Sequence, residues 1–267
     1  MNILVTGAGG QLGKALRQIS ELSGHRCLFT DVRPEGEVVA LDITDGNAVA
    51  RMLDEYDIDI VVNCAAYTDV ERAETDVENA RRVNAFAAGV VAGEVARKNI
   101  SLIHVSTDYV FDGKGETPWK PDCKTYAPLN VYGQTKYEGE LAVQNTLEKY
   151  FIVRIAWVFG VNGKNFVKTM LNLGKTRDHL TVVNDQFGSP TYTYDLAKLL
   201  VDMVLTDKYG FYHATNEGIC TWYEFACEIF RQAGLNVKVD PVSADQYPAK
   251  AKRPSNSRMS KEKLTEN

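Results

Sequence analysis

The first half of the chain alternates short apolar runs with longer segments in which apolar residues recur every three or four positions. The short runs have the length and β-branched content of buried strands, and the longer segments have the period of amphipathic helices. The pattern predicts strands over residues 3–6, 26–31, 58–63, 102–106 and 151–155, and helices from about residue 11 and over 48–56, 76–98 and 131–149. Such alternation is typical of βαβ units. We therefore predict an α/β fold with a doubly wound parallel sheet, in which ligands bind beyond the carboxyl ends of the strands.

The second half of the chain is less regular. It predicts helices over 165–177 and 194–205 and short strands over 181–183 and 210–214. Another helix begins at Thr221, because its hydroxyl and the carboxylate of Glu224 form a capping box. We expect residues 1–157 to form a Rossmann-type NAD(P)-binding domain, to which 193–216 returns. Residues 158–267 are then mainly a smaller C-terminal substrate-binding domain.

Composition narrows the function classes. The chain has 267 residues, is 45% hydrophobic and carries a net charge of −5, which disfavours nucleic-acid binding because that role needs a basic surface. The first residues lead directly into a strand, and no later segment has the length of a membrane span, so we expect a cytoplasmic protein with no membrane contact. Five cysteines at irregular spacing, without a CxxC pair, predict reduced thiols and no metal site.

A glycine-rich turn joins the first strand to the first helix. Gly7, Gly10 and Gly13 stand at GxxGxxG spacing, with Gln11 and Leu12 between them. The first glycine permits the tight turn, the second lets a pyrophosphate approach the backbone, and the third lets the helix pack closely on the sheet. The turn is a candidate phosphate-binding loop, although a purely structural turn has the same pattern.

Residues after the next strands are candidates for the rest of a dinucleotide site. Asp31 ends the second predicted strand, where a carboxylate would accept hydrogen bonds from the adenosine ribose and favour NADH. Arg33 could instead pair with the 2′-phosphate of NADPH, so both cofactors stay open. Further candidates along the adenine and ribose path follow later strands, where they could equally be packing residues: Asp42, Ile43, Cys64, Ala65 and Ala66.

Thr107, Tyr132 and Lys136 form the candidate catalytic set. Thr107 lies at the end of the fourth predicted strand, and Tyr132 and Lys136 lie one turn apart on the helix that follows. The lysine ammonium is expected to lie near the phenol and to lower its pKa from the ordinary value of about 10. The phenol could then give a proton to a carbonyl oxygen as that carbonyl is reduced. The Thr107 hydroxyl would hydrogen-bond to the same substrate oxygen.

Several runs together resemble the dTDP-4-dehydrorhamnose reductase family of the extended short-chain dehydrogenases. They are residues 7–13, 63–66, 106–111, 132–136, 154–158, 184–188 and 253–258. The runs STDYVFDG, NDQFGSPT and RPSNSR are the most specific of them. The resemblance implies reduction of the C4 keto group of dTDP-4-dehydro-L-rhamnose to dTDP-L-rhamnose by NADPH or NADH, for cell-surface polysaccharide synthesis.

The resemblance also implies roles for individual residues. Tyr132 would be the proton donor, Lys136 its helper and ribose ligand, and Thr107 the third catalytic residue. Val105 would lie beside the nicotinamide. The implied substrate ligands are Thr107, Asp108, Trp157, Asp185, Gln186, Arg253, Asn256 and Ser257, and Arg253, Asn256 and Ser257 would hold the diphosphate within a basic segment of six Lys or Arg against two Glu from residue 248 onward. Members of the family continue beyond the position of Asn267 with a segment that in some supplies dimer or magnesium contacts. The resemblance implies a homodimer, and no metal ligand is assigned.

Two other readings compete with a reductase. A nucleotide-sugar dehydratase needs an Asp-Glu pair after the catalytic threonine, and this chain has Asp108-Tyr109. An epimerase of the same superfamily needs further bases, and no cysteine or histidine stands near Thr107 in a suitable place. A regulatory subunit like the β subunit of methionine adenosyltransferase would keep the fold without catalysis, but the complete Thr107, Tyr132 and Lys136 set favours an enzyme.

Overall fold

The computed structural model describes residues 1–247 and 249–267. Its first half runs through β1 (Asn2–Thr6), α1 (Gln11–Ser23), β2 (Arg26–Asp31), β3 (Val39–Ala40), α2 (Gly46–Glu55), β4 (Ile60–Asn63), α3 (Val70–Ala73), α4 (Val77–Arg81), a π-helical turn (Arg82–Phe86), α5 (Ala87–Lys98), β5 (Ser101–Thr107), a 3-10 turn (Asp108–Val110), α6 (Val131–Thr146) and β6 (Tyr150–Ile155).

The second half has shorter strands. It runs through β7 (Val158–Phe159), α7 (Phe166–Gly174), β8 (His179–Val183), β9 (Phe187–Gly188), β10 (Thr191–Tyr192), α8 (Thr193–Met203), β11 (Gly210–His213), β12 (Cys220–Thr221), α9 (Trp222–Ala233), β13 (Lys238–Val242), a 3-10 turn (Ala244–Gln246), β14 (Asn256–Ser257) and α10 (Glu262–Glu266).

A seven-stranded parallel sheet in the order β3-β2-β1-β4-β5-β6-β11 forms the centre of the molecule. Successive residues of a strand point to opposite faces, so Ile3 and Val5 pack with α1 and α8 while Leu4 packs with α2 and α5. Burial on both faces explains why the strands are continuous apolar runs. The predicted doubly wound α/β fold is confirmed, and its chain reverses direction across the sheet between β1 and β4, where ligands bind in such folds.

A smaller layer lies beyond the carboxyl edge of the sheet. There β8 pairs in parallel with β13, and α7 and α9 cover the pair. Met170 of α7 and Ile229 and Phe230 of α9 pack in one core with Leu180 of β8. A separate small sheet has the order β12-β9-β14. The chain returns to the large sheet between these parts, because α8 packs against α1 and β11 pairs with β6.

One long predicted helix differs from the structure. Residues 77–98 are helical throughout, but the π-helical turn at 82–86 divides them into α4 and α5. The buried side chain of Asn84 lies in this turn, accepts from the Tyr67 N–H at 2.8 Å and donates to the Thr135 hydroxyl at 3.0 Å. Those partners come from a loop and from α6, so the helical period of the sequence could not reveal the turn.

Among the described residues, no helix is both long and apolar enough to cross a bilayer.

Candidate active site

The glycine turn leaves room where side chains would collide with backbone. Gly7 has a φ of +67°, and a Cβ there would lie 2.6 Å from the Ala65 nitrogen. A Cβ on Gly13 would lie 2.5 Å from the Ala8 Cα. Gly10 precedes α1, which has no side-chain cap and no acidic residue in its first turn. No side chain of the first turn therefore neutralises the positive end of the helix dipole, which can attract an anion. The turn fits the pyrophosphate of a dinucleotide.

Asp31 lies directly beside this turn. Its carboxylate accepts the Gly9 N–H and the Arg33 N–H, each at 3.0 Å, and the Arg33 side chain is exposed. Asp31 thus fastens the glycine turn to the end of β2. The Asp31 carboxylate, which would favour NADH, lies at the end of β2, and Arg33, which would favour NADPH, follows two residues later.

The other predicted cofactor residues divide into two groups. Cys64, Ala65 and Ala66 follow β4 beside Gly7 and are partly exposed, whereas Leu12 and Ile43 are buried in the two cores that flank the sheet. Asp42 accepts the Thr44 N–H and hydroxyl, which lowers the pKa of its carboxyl. The Gln11 side chain accepts from Asn165, at the start of α7, at 3.0 Å. Leu12 and Ile43 could therefore meet a ligand only through their backbone or an edge of the side chain.

Thr107, Tyr132 and Lys136 meet at the carboxyl end of β5. The Thr107 hydroxyl lies beside the Tyr132 phenol, donates to Asp108 at 3.0 Å and accepts the Tyr109 N–H at 3.2 Å. Asn130 caps α6 by accepting the Gly133 N–H at 2.8 Å, so the candidate catalytic residue Tyr132 lies in the first turn of that helix. A Cβ on Gly133 would lie 3.0 Å from the Tyr109 carbonyl carbon, so this glycine lets α6 approach the strand end.

The expected lowering of the Tyr132 pKa is wrong for this structure. Burial raises the pKa of Tyr132 to about 12; the hydrogen bond with Thr107 opposes the rise and the nearby charge of Asp108 adds to it. The Lys136 ammonium is directed elsewhere, because it donates to the Val105 carbonyl at 2.7 Å. Tyr132 is therefore a protonated phenol at neutral pH, which is the form that a proton donor needs.

Lys136 is almost completely buried. Burial lowers the pKa of its ammonium to about 8, while the neighbouring Glu140 and Cys64 act in the opposite direction. Burial also raises the pKa of the Cys64 thiol to about 12, which leaves it uncharged beside the lysine. Lys136 thus stays mainly protonated at neutral pH and places a positive charge below the reaction site.

A chain of polar contacts extends from the candidate catalytic phenol to β14. Tyr132 lies beside Thr107, the Thr107 hydroxyl donates to Asp108, and Asp108 accepts the hydroxyl of Ser257 in β14. Asp108 is only 3% exposed, and burial raises the pKa of its carboxyl to about 6, against the lowering effect of both hydroxyls. The predicted substrate residues Asp108 and Ser257 are therefore next to the catalytic set, and each is the other's partner.

Trp157 adopts a backbone conformation that is rare for large side chains, with a φ of +50°. Its ring is stacked on Trp222 at 3.7 Å between centroids, and a Cβ on Gly188 would lie 2.8 Å from its Cε2. Unusual backbone at a cleft indicates a functional constraint. Because Trp222 covers one face of the Trp157 ring, only the other face could stack on a sugar.

The remaining predicted substrate residues are held in different ways. Asp185 accepts the Ser243 hydroxyl at 2.8 Å and the Ala244 N–H, and Gln186 is buried nearby. The Asn256 amide donates to the Lys114 and Thr117 carbonyls and its oxygen accepts from Arg258, so its polar atoms are occupied within the chain. Its place as a diphosphate ligand stays a prediction.

Arg253 has two neighbours that no sequence motif predicts. Its guanidinium lies 2.9 Å from Glu71 and near the Tyr109 phenol. The Tyr109 ring meets the Tyr132 ring edge to face, at 5.6 Å between centroids. Glu71 lies far from Arg253 in the sequence and within an acidic stretch with no motif of its own, so only the fold brings it to the site.

The fold, the glycine turn and the threonine, tyrosine and lysine set define an oxidoreductase of the short-chain dehydrogenase class. The family described as RmlD substrate binding domain matches residues 1–267. The chain is also 40% identical to dTDP-4-dehydrorhamnose reductase of Escherichia coli strain K12, over all of this chain and 92% of that protein. It belongs to the dTDP-4-dehydrorhamnose reductase family.

Solved structures agree with this assignment. A dTDP-4-dehydrorhamnose reductase from Clostridium acetobutylicum superimposes with a TM-score of 0.94 at 41% identity, covering 100% of this chain and 92% of that one. The enzyme from Bacillus anthracis in complex with NADP gives a TM-score of 0.91 at 39% identity, with coverage of 100% and 92%. The cofactor prediction is confirmed at the level of NADP or NAD.

Proposed function

We propose that this protein reduces the C4 keto group of dTDP-4-dehydro-L-rhamnose to give dTDP-L-rhamnose, using NADPH or NADH. The observation that carries the proposal is the placement of Thr107 beside the Tyr132 phenol, with the buried Lys136 ammonium bonded to Val105 of the same strand, at the sheet edge that also holds the glycine turn. The relatives that carry the reductase name span almost the whole chain and supply the sugar nucleotide named here.

Each catalytic residue has a distinct task in this proposal. A bound reduced nicotinamide would supply the hydride. The Tyr132 phenol, which is protonated at neutral pH, gives its proton to the developing alkoxide, and the Thr107 hydroxyl orients that oxygen. The phenolate that remains on Tyr132 is stabilised by the charge of Lys136.

The remaining contacts assign the two ends of the ligands. Gly7, Gly10 and Gly13 with the α1 N-terminus would hold the dinucleotide pyrophosphate. Lys136 and Val105 would lie beside the nicotinamide and its ribose.

On the substrate side, the deoxysugar would contact Asp108 and the open face of Trp157, with Gln186 and Asp185 along the same cleft. Arg253 would bind the diphosphate, since a guanidinium pairs bidentately with phosphate. We accordingly assign 1–157 with 193–216 to the cofactor, and the rest of 158–267 mainly to the substrate.

Absorbance of NADPH, followed as dTDP-4-dehydro-L-rhamnose is added, tests the proposal directly. Oxidation of NADPH that depends on the sugar nucleotide is expected from the folded protein. A folded protein that binds NADPH but does not oxidise it would make the chain a binding protein and not a reductase. A cytoplasmic location and a homodimer stay predictions, which fractionation and light scattering would check.

A further inference from the structure

Glu71 and Arg253 meet at the proposed diphosphate end of the cleft. Glu71 lies in α3, and the Arg253 Nη2 atom is 2.9 Å from its Oε1. The second oxygen, Oε2, accepts the Lys250 N–H at 2.9 Å. The Asn130 side chain also donates to the Lys252 carbonyl at 2.7 Å. The backbone of residues 250–252 is therefore held by two separate contacts, whatever the Arg253 side chain does.

The ion pair itself is loosely made. Its side chains are 37% and 39% exposed, so water reaches much of the pair and weakens its attraction, although the Oε1 atom itself is shielded from solvent. Although Oε1 is close to the guanidinium, it accepts no hydrogen bond of sound geometry among the described residues. A pair of this kind is weaker than the bidentate contact of a guanidinium with phosphate. Arg253 can therefore exchange Glu71 for a phosphate at low cost.

The other neighbour of Arg253 connects this exchange to the reaction site. The guanidinium lies near the Tyr109 phenol, and the Tyr109 ring packs against the Tyr132 ring. Arg253 thus lies one aromatic ring away from the proton donor, with Glu71 on its other side. With Arg253 paired to Glu71, the charge that would attract a diphosphate is already compensated.

We propose that Glu71 competes with the substrate diphosphate for Arg253 and thereby sets the affinity of the site for its nucleotide. This inference rests on the proposed function, which places a nucleoside diphosphate beside Arg253. Glu71 acts through Arg253 and is a positioning residue without chemistry of its own. Its carboxylate lowers the affinity for the nucleotide, because binding has to break the existing pair.

Calorimetric titration of the full chain with dTDP, in the presence of NADP⁺, measures this competition. Glu71→Gln keeps an oxygen for the Lys250 N–H and removes the charge, so dTDP should bind about two- to fivefold more tightly, the range that an ordinary exposed ion pair corresponds to. The matched control is Glu78→Gln, which removes one negative charge from an exposed position of the neighbouring α4 and should leave dTDP affinity unchanged. In steady-state assays, Glu71→Gln should lower the KM for the sugar nucleotide more than it changes kcat.

The Arg253→Ala background separates competition from simple repulsion. If Glu71 acts through Arg253, Glu71→Gln has no effect on dTDP affinity once Arg253 is absent. Equal tightening in both backgrounds, or affinity that is unchanged or weaker in Glu71→Gln alone, overturns the inference. The proposed function fails separately, through a lack of sugar-dependent NADPH oxidation by the parent. A parent that binds no dTDP would contradict both.

Discussion

The pKa of Tyr132 is raised because the phenol is buried away from water, and a raised pKa suits the role of proton donor. A phenol with a pKa of about 12 holds its proton at neutral pH and releases it only to a stronger base, such as the alkoxide formed from a reduced carbonyl. The same dryness leaves Lys136 with a pKa of about 8. The sequence identified both residues through their spacing, but it could not give the sign of the Tyr132 shift, because burial depends on β5 and the C-terminal segment.

Replacing Tyr132 by Phe tests this role. We expect Tyr132→Phe to lower kcat by at least about 10²-fold, the usual loss for a general acid, while the Kd for NADPH changes little. Steady-state kinetics and fluorescence titration with NADPH measure the two quantities. Tyr137→Phe, on the same helix, is the control and should keep kcat near the parent value. Parent-like turnover by Tyr132→Phe would mean that the proton comes from another group.

Asp108 should reduce the stability of the fold at neutral pH. The pKa of its carboxyl is raised from 3.8 to about 6, so the folded state resists ionisation that the unfolded state permits. Asp108→Asn removes this cost, and we expect a gain of up to about 3 kcal/mol in the free energy of unfolding above pH 6. The gain should disappear below about pH 4, where both states of the parent are neutral. Urea unfolding at pH 4 and pH 7 gives the comparison, and a gain independent of pH would exclude the titration of Asp108 as its cause.

Helix α6 connects the sheet to the chemistry, and small residues determine how closely it approaches. Gly133 faces the Tyr109 carbonyl, and Gly139 faces the Asn84 carbonyl in the π-helical turn. Strands β1, β2 and β4 to β6 could be predicted from the sequence because each is a local apolar run. The two-residue strands, the π-helical turn and α3 could not, because they form only through contacts with distant segments.

Gly133→Ala should displace α6 from the end of β5. The added methyl would overlap the Tyr109 carbonyl, so we expect a loss of about 2 kcal/mol or more in stability and a fall in kcat as Tyr132 moves away from Thr107. Thermal unfolding and steady-state kinetics measure both effects. Gly93→Ala in α5, where a Cβ would have no neighbour within 4 Å, is the control and should raise stability by about 0.5–1 kcal/mol. Similar effects of the two substitutions would show that the approach of α6 does not require glycine.

At the scale of the whole molecule, the cofactor and substrate parts are interleaved. The chain leaves the large sheet after β6, returns to it with α8 and β11, and leaves it again before β14. Contacts such as Gln11 with Asn165 and Asp108 with Ser257 connect the two parts. A charge pattern or an apolar period cannot predict such contacts, because the partners lie more than a hundred residues apart.

Binding of NADPH should therefore stabilise the whole chain as one unit. At a free concentration of about 100 times Kd, we expect the free energy of unfolding to rise by about 2.7 kcal/mol, in a single cooperative transition. Differential scanning calorimetry with and without NADPH measures the shift. Two separate transitions, of which only one responded to NADPH, would mean that the parts unfold independently.

The chain of polar contacts from Tyr132 to Ser257 also has a consequence for biosynthesis. Chains fold from the N-terminus during translation, so β1 to β6 can pair while the ribosome is still adding later residues. Asp108 obtains its Ser257 partner only when β14 has been made and has paired with β9. A nascent chain can thus form most of the sheet while its reaction centre is still open to water, and catalytic competence is among the last properties that the growing polypeptide acquires.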